Sequence, residues 1–346
     1  MDEDPVGNRL KLRSRLKEGT MKRSVAGVLA AVVFAFCSGA VAQKATDQDS
    51  LKAAGFTADN LYSMGFALKE INPVTPVHSD LAARVLRASA ALGNANALAL
   101  LAEMYLGNRI PLQPGEAAVQ QAIKYMNLAW DNGSATGYFD LGLLYYNVAI
   151  PGVSEETARG ATVSFVPRDY NRAFDYFVAA CNKGNGKACR WTGICYEQGR
   201  GTTQDFEKGA QSYRRAGRDG TARVLLANLL VAGKGITQDL PTALTYYQAE
   251  IDRQGIDAGV SAFAMGQIYE KGNGVKADSN KAIAYYEIAA AHGDLGAKPA
   301  VDQYASGLYH NGYALLQKGN YDSALPLLVK AADLGNADAL KLTGKR

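Results

Sequence analysis

After residue 50, apolar residues recur at three- and four-residue steps along most of the chain, which is the period of amphipathic helices. The clearest stretch is Ala262–Gly293, where two such patterns flank a glycine-broken turn at Gly272 and Gly274. Asp278 stands at the expected N-cap of the second helix. A helical hairpin this short cannot bury both of its faces alone. The pattern therefore predicts that further hairpins of the same kind lie beside this one.

The chain contains such copies. A predicted first hairpin runs from about Leu51 to Gly93, and a glycine then closes each predicted second helix at near-regular intervals: Gly93, Gly133, Gly184, Gly220, Gly255, Gly293 and Gly335. The predicted first helices carry a tyrosine at equivalent places: Tyr105, Tyr145, Tyr196 and Tyr269. Because these tyrosines recur with the hairpin, we expect them to pack within the fold rather than to bind a ligand.

The recurring pattern L-G-x-x-Y…G-x-G-V…D…K-A…Y-Y…A-A…G resembles the Sel1-like repeat family, which is related to tetratricopeptide repeats. The resemblance extends from about Leu51 to Leu342. It implies an all-α fold, a right-handed superhelical solenoid of about seven Sel1-like or tetratricopeptide-like helical hairpins. We therefore assign residues 51–346 to one repeat domain. An insertion at 149–168 separates the two helices of one hairpin, and it is either tolerated decoration or a loop that contacts a partner.

The amino terminus has the pattern of a secretory signal. Lys22 and Arg23 precede an apolar run, and Ala40-Val41-Ala42 forms a small-x-small cleavage site. We expect residues 1–42 to be an N-terminal extension with a signal peptide cleaved after Ala42, followed by a flexible segment at 43–50. The prediction is a periplasmic or secreted protein of a Gram-negative bacterium, without stable membrane insertion after cleavage. Phe36 disfavours lipidation of Cys37.

Charge excludes one class of partner. Residues 1–42 hold 7 Lys/Arg and 4 Asp/Glu, so the remainder has 37 − 7 = 30 basic and 33 − 4 = 29 acidic residues. A near-neutral chain lacks the concentrated basic face of a nucleic-acid-binding protein. The stretch 187–223 is locally basic, with 8 basic against 4 acidic residues. It is either a solvated helix face or a site for an acidic partner.

Three cysteines lie close together in sequence. Cys181 and Cys189 flank a predicted glycine-containing turn that can bring their Cβ atoms within disulfide range. In an oxidising compartment a bridge between them is expected. The pair also resembles the cysteine-rich subset of Sel1-like proteins, in which the equivalent pair forms a structural disulfide. Cys195 is left over, either as a buried small hydrophobe or as a reactive or intermolecular thiol.

Residues with catalytic or metal-binding chemistry are sparse. The three histidines, His78, His292 and His310, lie in separate hairpins without metal-ligand spacing, so we expect no metal site and no cofactor. No catalytic motif occurs in a fitting context. We therefore expect no enzyme. The alternative implied by the cysteine-rich resemblance is a hydrolase or binding protein directed at the cell wall or at β-lactams.

The expected function is that of a scaffold or adaptor for protein–protein interactions in the bacterial cell envelope, serving regulation, secretion or contact with a host. By analogy with tetratricopeptide hairpins, positions beside the first-helix glycine and tyrosine face a concave groove that binds a protein or peptide. The candidates for this contact are Glu103, Leu143, Tyr146, Arg190, Ile194, Glu197, Phe263, Gln267 and Glu270. Their chemistry differs between hairpins, which suits recognition of a polypeptide.

Overall fold

The computed structural model describes residues 48–53, 55–71, 76–107, 109–110, 118–146 and 166–344. Throughout these ranges the regular secondary structure is helical, with no strand, and the all-α prediction is confirmed. The predicted signal peptide at 1–42, residues 43–47 and positions 149–165 of the insertion lie outside the described residues. Residues 48–50, assigned above to a flexible segment, begin the first helix instead.

The chain divides into two compact units, Met1–Asn185 and Gly186–Arg346. The described helices of unit 1 are α1 (Gln48–Ala53), α2 (Ala58–Lys69), α3 (Pro76–Ala91), α4 (Ala95–Leu106), α5 (Ala118–Asp131), α6 (Ala135–Tyr146) and α7 (Tyr170–Asn182). Those of unit 2 are α8 (Gly186–Gln198), α9 (Phe206–Arg215), α10 (Gly220–Ala232), α11 (Leu240–Asp252), α12 (Ala258–Lys271), α13 (Ser279–Ala291), α14 (Ala297–Gln317), α15 (Tyr321–Asp333) and α16 (Ala337–Thr343).

These helices pack as consecutive hairpins. In unit 1, α2 packs on α3, α4 on α5 and α6 on α7; in unit 2, α8 packs on α9, α10 on α11, α12 on α13 and α14 on α15. The described elements thus form seven hairpins, as predicted. The start of the first hairpin was placed too early, because Leu51 belongs to the separate short helix α1 and the hairpin begins at Ala58.

Aspartate N-caps define where several helices begin. The Asp278 side chain accepts a hydrogen bond from the backbone N–H of Lys281, which confirms the predicted start of α13. The same bond, made to the N–H three residues further on, recurs at Asp169, Asp205, Asp219 and Asp239. Each cap satisfies one of the N–H groups that the first turn of a helix leaves without a partner.

The predicted closing glycines divide into two groups. Five of them adopt the left-handed conformation that ends a helix without a Cβ penalty: Gly93, Gly133, Gly184, Gly293 and Gly335. At the other two the prediction was wrong. Gly220 is the first residue of α10, and Gly217 is left-handed instead; Gln254 takes the left-handed conformation beside Gly255. The carboxylate of Glu250 lies against Gly255, and a Cβ there would require that side chain to shift.

The interior of a hairpin is built around a small residue on the first helix and a large one on the second. The large side chain lies against the space that the missing Cβ leaves, as Phe177 does against Gly142, Tyr213 against Gly193 and Tyr286 against Gly266. The three large side chains are buried. The glycine in the sequence pattern therefore permits close helix packing. Over the described residues, no helix has the length and apolar character needed to cross a membrane.

Candidate partner-binding surface

The candidate contact residues of unit 1 are buried. Glu103 is only 2% exposed, and its Oε2 lies 2.7 Å from Nζ of Lys69, which is also buried. Leu143 and Tyr146 are buried as well, and the Tyr146 ring packs edge-on against Tyr170 at 4.9 Å. Side chains enclosed in this way cannot meet a partner in this conformation. We therefore leave these three residues out of the candidate surface.

On α8 in unit 2 the candidates are partly accessible. Arg190, Ile194 and Glu197 are half-buried and lie on one side of the helix, at spacings of four and three residues. The Arg190 guanidinium forms an ion pair with Asp219, with 3.1 Å between Nη1 and Oδ1. Because Asp219 also caps α10, Arg190 contributes to the structure of unit 2 as well as to its surface.

On α12 the candidates are also accessible in part. Phe263 is half-buried, and its ring centroid lies 5.5 Å from that of Tyr286. Gln267 is half-buried and Glu270 is exposed. A partner approaching this side of α12 would meet a half-buried aromatic residue, a carboxamide and a carboxylate within two helical turns.

Buried tyrosines of the second helices hold two of these carboxylates in place. The hydroxyl of Tyr213 donates to Oε2 of Glu197 at 2.6 Å, and that of Tyr286 donates to Oε2 of Glu270 at 2.9 Å. Burial, assisted by these bonds, raises the pKa of both tyrosines above its usual range, so both remain protonated donors. Each glutamate is thus fixed by a bond to the paired helix while it stays in reach of solvent.

Asn228 on α10 occupies a place that the sequence pattern did not reveal. It lies five residues before the left-handed Gly233, as Ile194 lies before Gly199 and Gln267 before Gly272. It is exposed, and its Oδ1 accepts a 2.5 Å hydrogen bond from Tyr247. Ala227 takes the place of the pattern's glycine here, and Asn228, which follows it, was not among the predicted candidates. The left-handed glycine at the end of the helix was the signal that could have shown it.

Tyr313 on α14 was also missed. It follows Gly312 directly, as Gln267 follows Gly266, and it is 40% exposed. Its ring stacks on that of Tyr309, with centroids 5.8 Å apart and an interplanar angle of 24°. We call the accessible set on the first helices of unit 2 the first-helix face: Arg190, Ile194, Glu197, Asn228, Phe263, Gln267, Glu270 and Tyr313.

The recurring first-helix tyrosines pack within their own hairpins, as expected. Tyr145 stacks on Tyr176 with centroids 5.7 Å apart, and Tyr269 stacks on Tyr285 at 5.6 Å. Nζ of Lys208 lies over the Tyr196 ring, 5.7 Å from its centroid. Residues that join the two helices in this way act mainly in packing.

The cysteines have separate roles. Cys181 and Cys189 form a disulfide, which confirms the predicted pair. Cys195 is fully buried, and burial raises the pKa of its thiol to about 12. The nucleophile in thiol chemistry is the thiolate. Cys195 therefore fits a small buried hydrophobe rather than a reactive group. Across the described part of the chain, no three His, Cys, Asp or Glu side chains are grouped so that they could hold a metal ion.

The hairpin order, the glycine–aromatic packing and the capped second helices are the local features of one repeat family. The family model of the Sel1 repeat matches residues 158–185, 186–221, 220–249, 259–294 and 300–336. The chain belongs to the Sel1-repeat family. Sel1 repeats form scaffolds for protein–protein interactions and are typically non-catalytic. The two hairpins formed by α2–α5 precede the matched residues and show the same order of helices.

Two solved structures are similar to this chain. A Sel1 repeat protein from Oxalobacter formigenes is 20% identical, covering 68% of this chain and 91% of its own, with a TM-score of 0.52. At this identity the likeness shows the fold. A protective antigen from uropathogenic Escherichia coli with an SLR fold is 22% identical, with a TM-score of 0.37; the alignment covers 85% of this chain and 65% of the antigen.

Proposed function

We propose that the protein is an exported Sel1-repeat scaffold of the bacterial cell envelope that binds a polypeptide partner through its first-helix face. The partner would belong to a regulatory, secretion-associated or host-contacting system. Unit 2 supplies the candidate surface, because the equivalent candidates in unit 1 are buried.

One observation carries the proposal. The residue type at a packing position repeats from hairpin to hairpin, whereas the residue type at a position on the first-helix face does not. The buried second-helix tyrosine recurs at Tyr213, Tyr247 and Tyr286. At the equivalent accessible positions of α8, α10 and α12 the residues are Ile194, Asn228 and Gln267. Packing accounts for what is repeated. Varied polar and apolar chemistry in a row of equivalent positions is what recognition of an irregular polypeptide needs.

The chemistry of the face suits a peptide chain. The carboxamides of Asn228 and Gln267 can pair with the N–H and C=O groups of a peptide backbone. Glu197 and Glu270 offer negative charge to basic side chains, and each keeps acceptor capacity beyond its bond to a tyrosine hydroxyl. The accessible ring of Tyr313 provides an apolar contact.

Two observations support export. Residues 21–42 have the order of a signal peptide, with basic residues, an apolar run and a small-x-small site. The Cys181–Cys189 disulfide fits an oxidising compartment. The hydrolase alternative gains no support from Cys195, because a buried thiol with a pKa of about 12 holds little thiolate at neutral pH.

The proposal is tested by photocrosslinking in the native envelope. A photoreactive residue at Gln267 should capture a discrete protein, which mass spectrometry would then identify. The matched control places the same group at Glu287, an exposed position on α13 of the same hairpin. The proposal predicts capture from 267 alone, and loss of that capture in the variant Glu270→Gln, which removes charge but keeps an acceptor for Tyr286. Equal capture from both positions, or capture unaffected by Glu270→Gln, would refute it.

A further inference from the structure

Three large apolar side chains of unit 2 are exposed where α12 begins and in the turn before α14. Ile256 is 93% exposed, Leu295 is 87% exposed and Val260 is 50% exposed. Ile256 directly precedes the start of α12, Val260 lies in its first turn, and Leu295 lies in the turn between α13 and α14. We call these three residues the turn patch. Single exposed apolar residues are ordinary, whereas a cluster of them marks an interaction surface.

Two contacts bring the segments of the turn patch side by side. A Cβ added at Gly259 on α12 would lie 3.1 Å from Cβ of His292, and one added at Gly296 would lie 3.4 Å from Cζ of Phe263. On each segment, one residue of the turn patch lies along the chain between the two contact residues. Ile256 lies three residues before Gly259. The three side chains therefore belong to one surface of unit 2.

The fold does not require large residues at two of these positions. Ile256 and Leu295 each lie two residues after the left-handed residue of a turn that leads from a second helix to the next helix. The same position in the other such turns of the described chain holds a small or a capping residue: Ala95, Ala135, Gly186, Asp219 and Ala337. The turn thus forms without a large apolar side chain. Because Ile256 and Leu295 are also exposed, packing explains neither of them.

Three aspartates border the turn patch. Asp257 and Asp294 are direct neighbours in sequence of Ile256 and Leu295, and Asp252 ends α11. Each accepts a hydrogen bond from an uncharged donor, either a glutamine or threonine side chain or a backbone N–H. None of the three forms an ion pair with a residue that the structure describes. Their negative charges are therefore left uncompensated beside the apolar side chains.

The cations of the same segments are already paired. The guanidinium of Arg253 forms an ion pair with the buried carboxylate of Glu250. Nζ of Lys298 lies 3.1 Å from Oδ1 of Asp302, one turn further along α14. The border of the turn patch is therefore net negative, and the complementary surface is apolar with positive charge around it.

We propose that the turn patch binds a segment of a partner protein that presents apolar side chains with lysine or arginine beside them. The charges disfavour two other occupants. A twofold contact between copies of this chain would bring two negative borders together, and an anionic membrane surface would repel the aspartates. The turn patch adjoins the first-helix face at Phe263. No residue belongs to both, so this proposal and the proposed function can fail separately.

Fluorescence anisotropy on the full chain tests the proposal with a defined probe. The probe is a fluorescein-labelled peptide of leucine, alanine and lysine, about 18 residues long, with leucine on one face of its helix. A small interface predicts dissociation on the order of 10 to 100 µM. The double variant Ile256→Ser and Leu295→Ser should bind at least about tenfold more weakly, because its apolar contact area is lost. Both side chains are exposed, so the fold should persist, as circular dichroism would check.

A second pair of measurements tests the charges. The double variant Asp252→Asn and Asp294→Asn keeps both hydrogen-bond acceptors and removes two negative charges. It should bind the lysine peptide more weakly, and its binding should depend less on salt. A peptide with glutamate in place of every lysine should not bind the native chain.

The matched control is Leu325→Ser, which removes an apolar side chain that is 60% exposed on α15, outside the turn patch. It should bind the lysine peptide like the native chain. A native chain that does not bind this peptide, equal binding of the glutamate peptide, or equal weakening in Leu325→Ser would overturn the proposal.

The two other occupants are tested directly. In sedimentation velocity the native chain should stay monomeric, and it should not float with vesicles of phosphatidylglycerol. A dimer that is lost in the Ile256→Ser and Leu295→Ser variant would assign the turn patch to a second copy. Vesicle binding that is lost in the same variant would assign it to a membrane. Either result would overturn the proposal.

Discussion

A Cβ added at Gly266 would lie 2.5 Å from Cε1 of Tyr286, and one added at Gly193 would lie 2.4 Å from Cε1 of Tyr213. Neither glycine has the positive φ that would require glycine on conformational grounds. The signature glycine of the repeat is therefore fixed by the space that the ring of the second helix occupies. Sequence pattern alone identifies the position, but it does not distinguish these two reasons for a glycine.

Gly266→Ala should lower stability, because the ring of Tyr286 must shift to admit the methyl group. Overpacking of this kind costs about 1–3 kcal/mol. Gly307→Ala on α14 is the matched control, since its Cβ would have no heavy atom within 4 Å. It should raise stability by roughly 0.5–1 kcal/mol through helix propensity. Urea midpoints of the two variants would measure the difference, and equal midpoints would contradict the packing explanation.

Cys195 supplies a second test at the residue scale. Its burial and raised pKa predict that iodoacetamide at pH 8 leaves it unmodified in the folded protein and alkylates it in urea. Peptide mass spectrometry would report both states. Rapid alkylation of native Cys195 would show that the thiol is accessible and would restore the reactive-thiol hypothesis.

At the scale of single helices, the aspartate caps account for the boundaries that sequence predicts well. A carboxylate that accepts the N–H of the first turn is a local interaction, so Asp278 could be recognised from a few neighbouring residues. Two boundaries were missed. Thr57 caps the start of α2 by the same kind of local bond, to the backbone N–H of Asn60, so this signal was present in the sequence. The left-handed Gln254 was missed because Gly255, which follows it, is the residue that the repeat pattern selects.

The caps at Asp205 and Asp239 should make the free energy of unfolding depend on pH in the acidic range. The backbone N–H of Lys208 lowers the pKa of Asp205, and the hydroxyl and N–H of Thr242 lower that of Asp239. When folding lowers the pKa of a carboxyl group, that group stabilises the fold at pH values above its pKa in the unfolded chain, about 3.9. This stabilisation is lost as the pH falls through the pKa of the group in the folded state.

Asp205→Asn keeps the capping acceptor and removes the titration. The urea midpoint of this variant should therefore fall less steeply between about pH 5 and pH 2 than that of the native chain. Asp205→Ala should also lower the midpoint at neutral pH, because the cap itself is lost. An unchanged slope in Asp205→Asn would contradict the assignment.

For the whole molecule, repeat period and hydrophobic pattern were sufficient to predict an all-α chain of about seven hairpins, because each hairpin is built from contacts close in sequence. The accessible surface was harder to predict. Glu103 occupies a groove position by pattern, yet it is buried against Lys69, 34 residues earlier in the chain. Such burial depends on neighbouring hairpins, which the pattern within one repeat does not encode.

The central claim is that the first-helix face of unit 2 binds the partner. The most direct measurement is the affinity of the protein captured at Gln267 for the native chain and for the double variant Glu197→Gln and Glu270→Gln, by isothermal titration calorimetry. Both tyrosine hydroxyls keep an acceptor in this variant, so the fold should be retained. The control is Glu287→Gln on α13.

The account predicts that the double variant binds at least tenfold more weakly, equivalent to about 1.4 kcal/mol, while the control binds like the native chain. Native affinity in the double variant, or equal weakening in the control, would contradict recognition by the first-helix face.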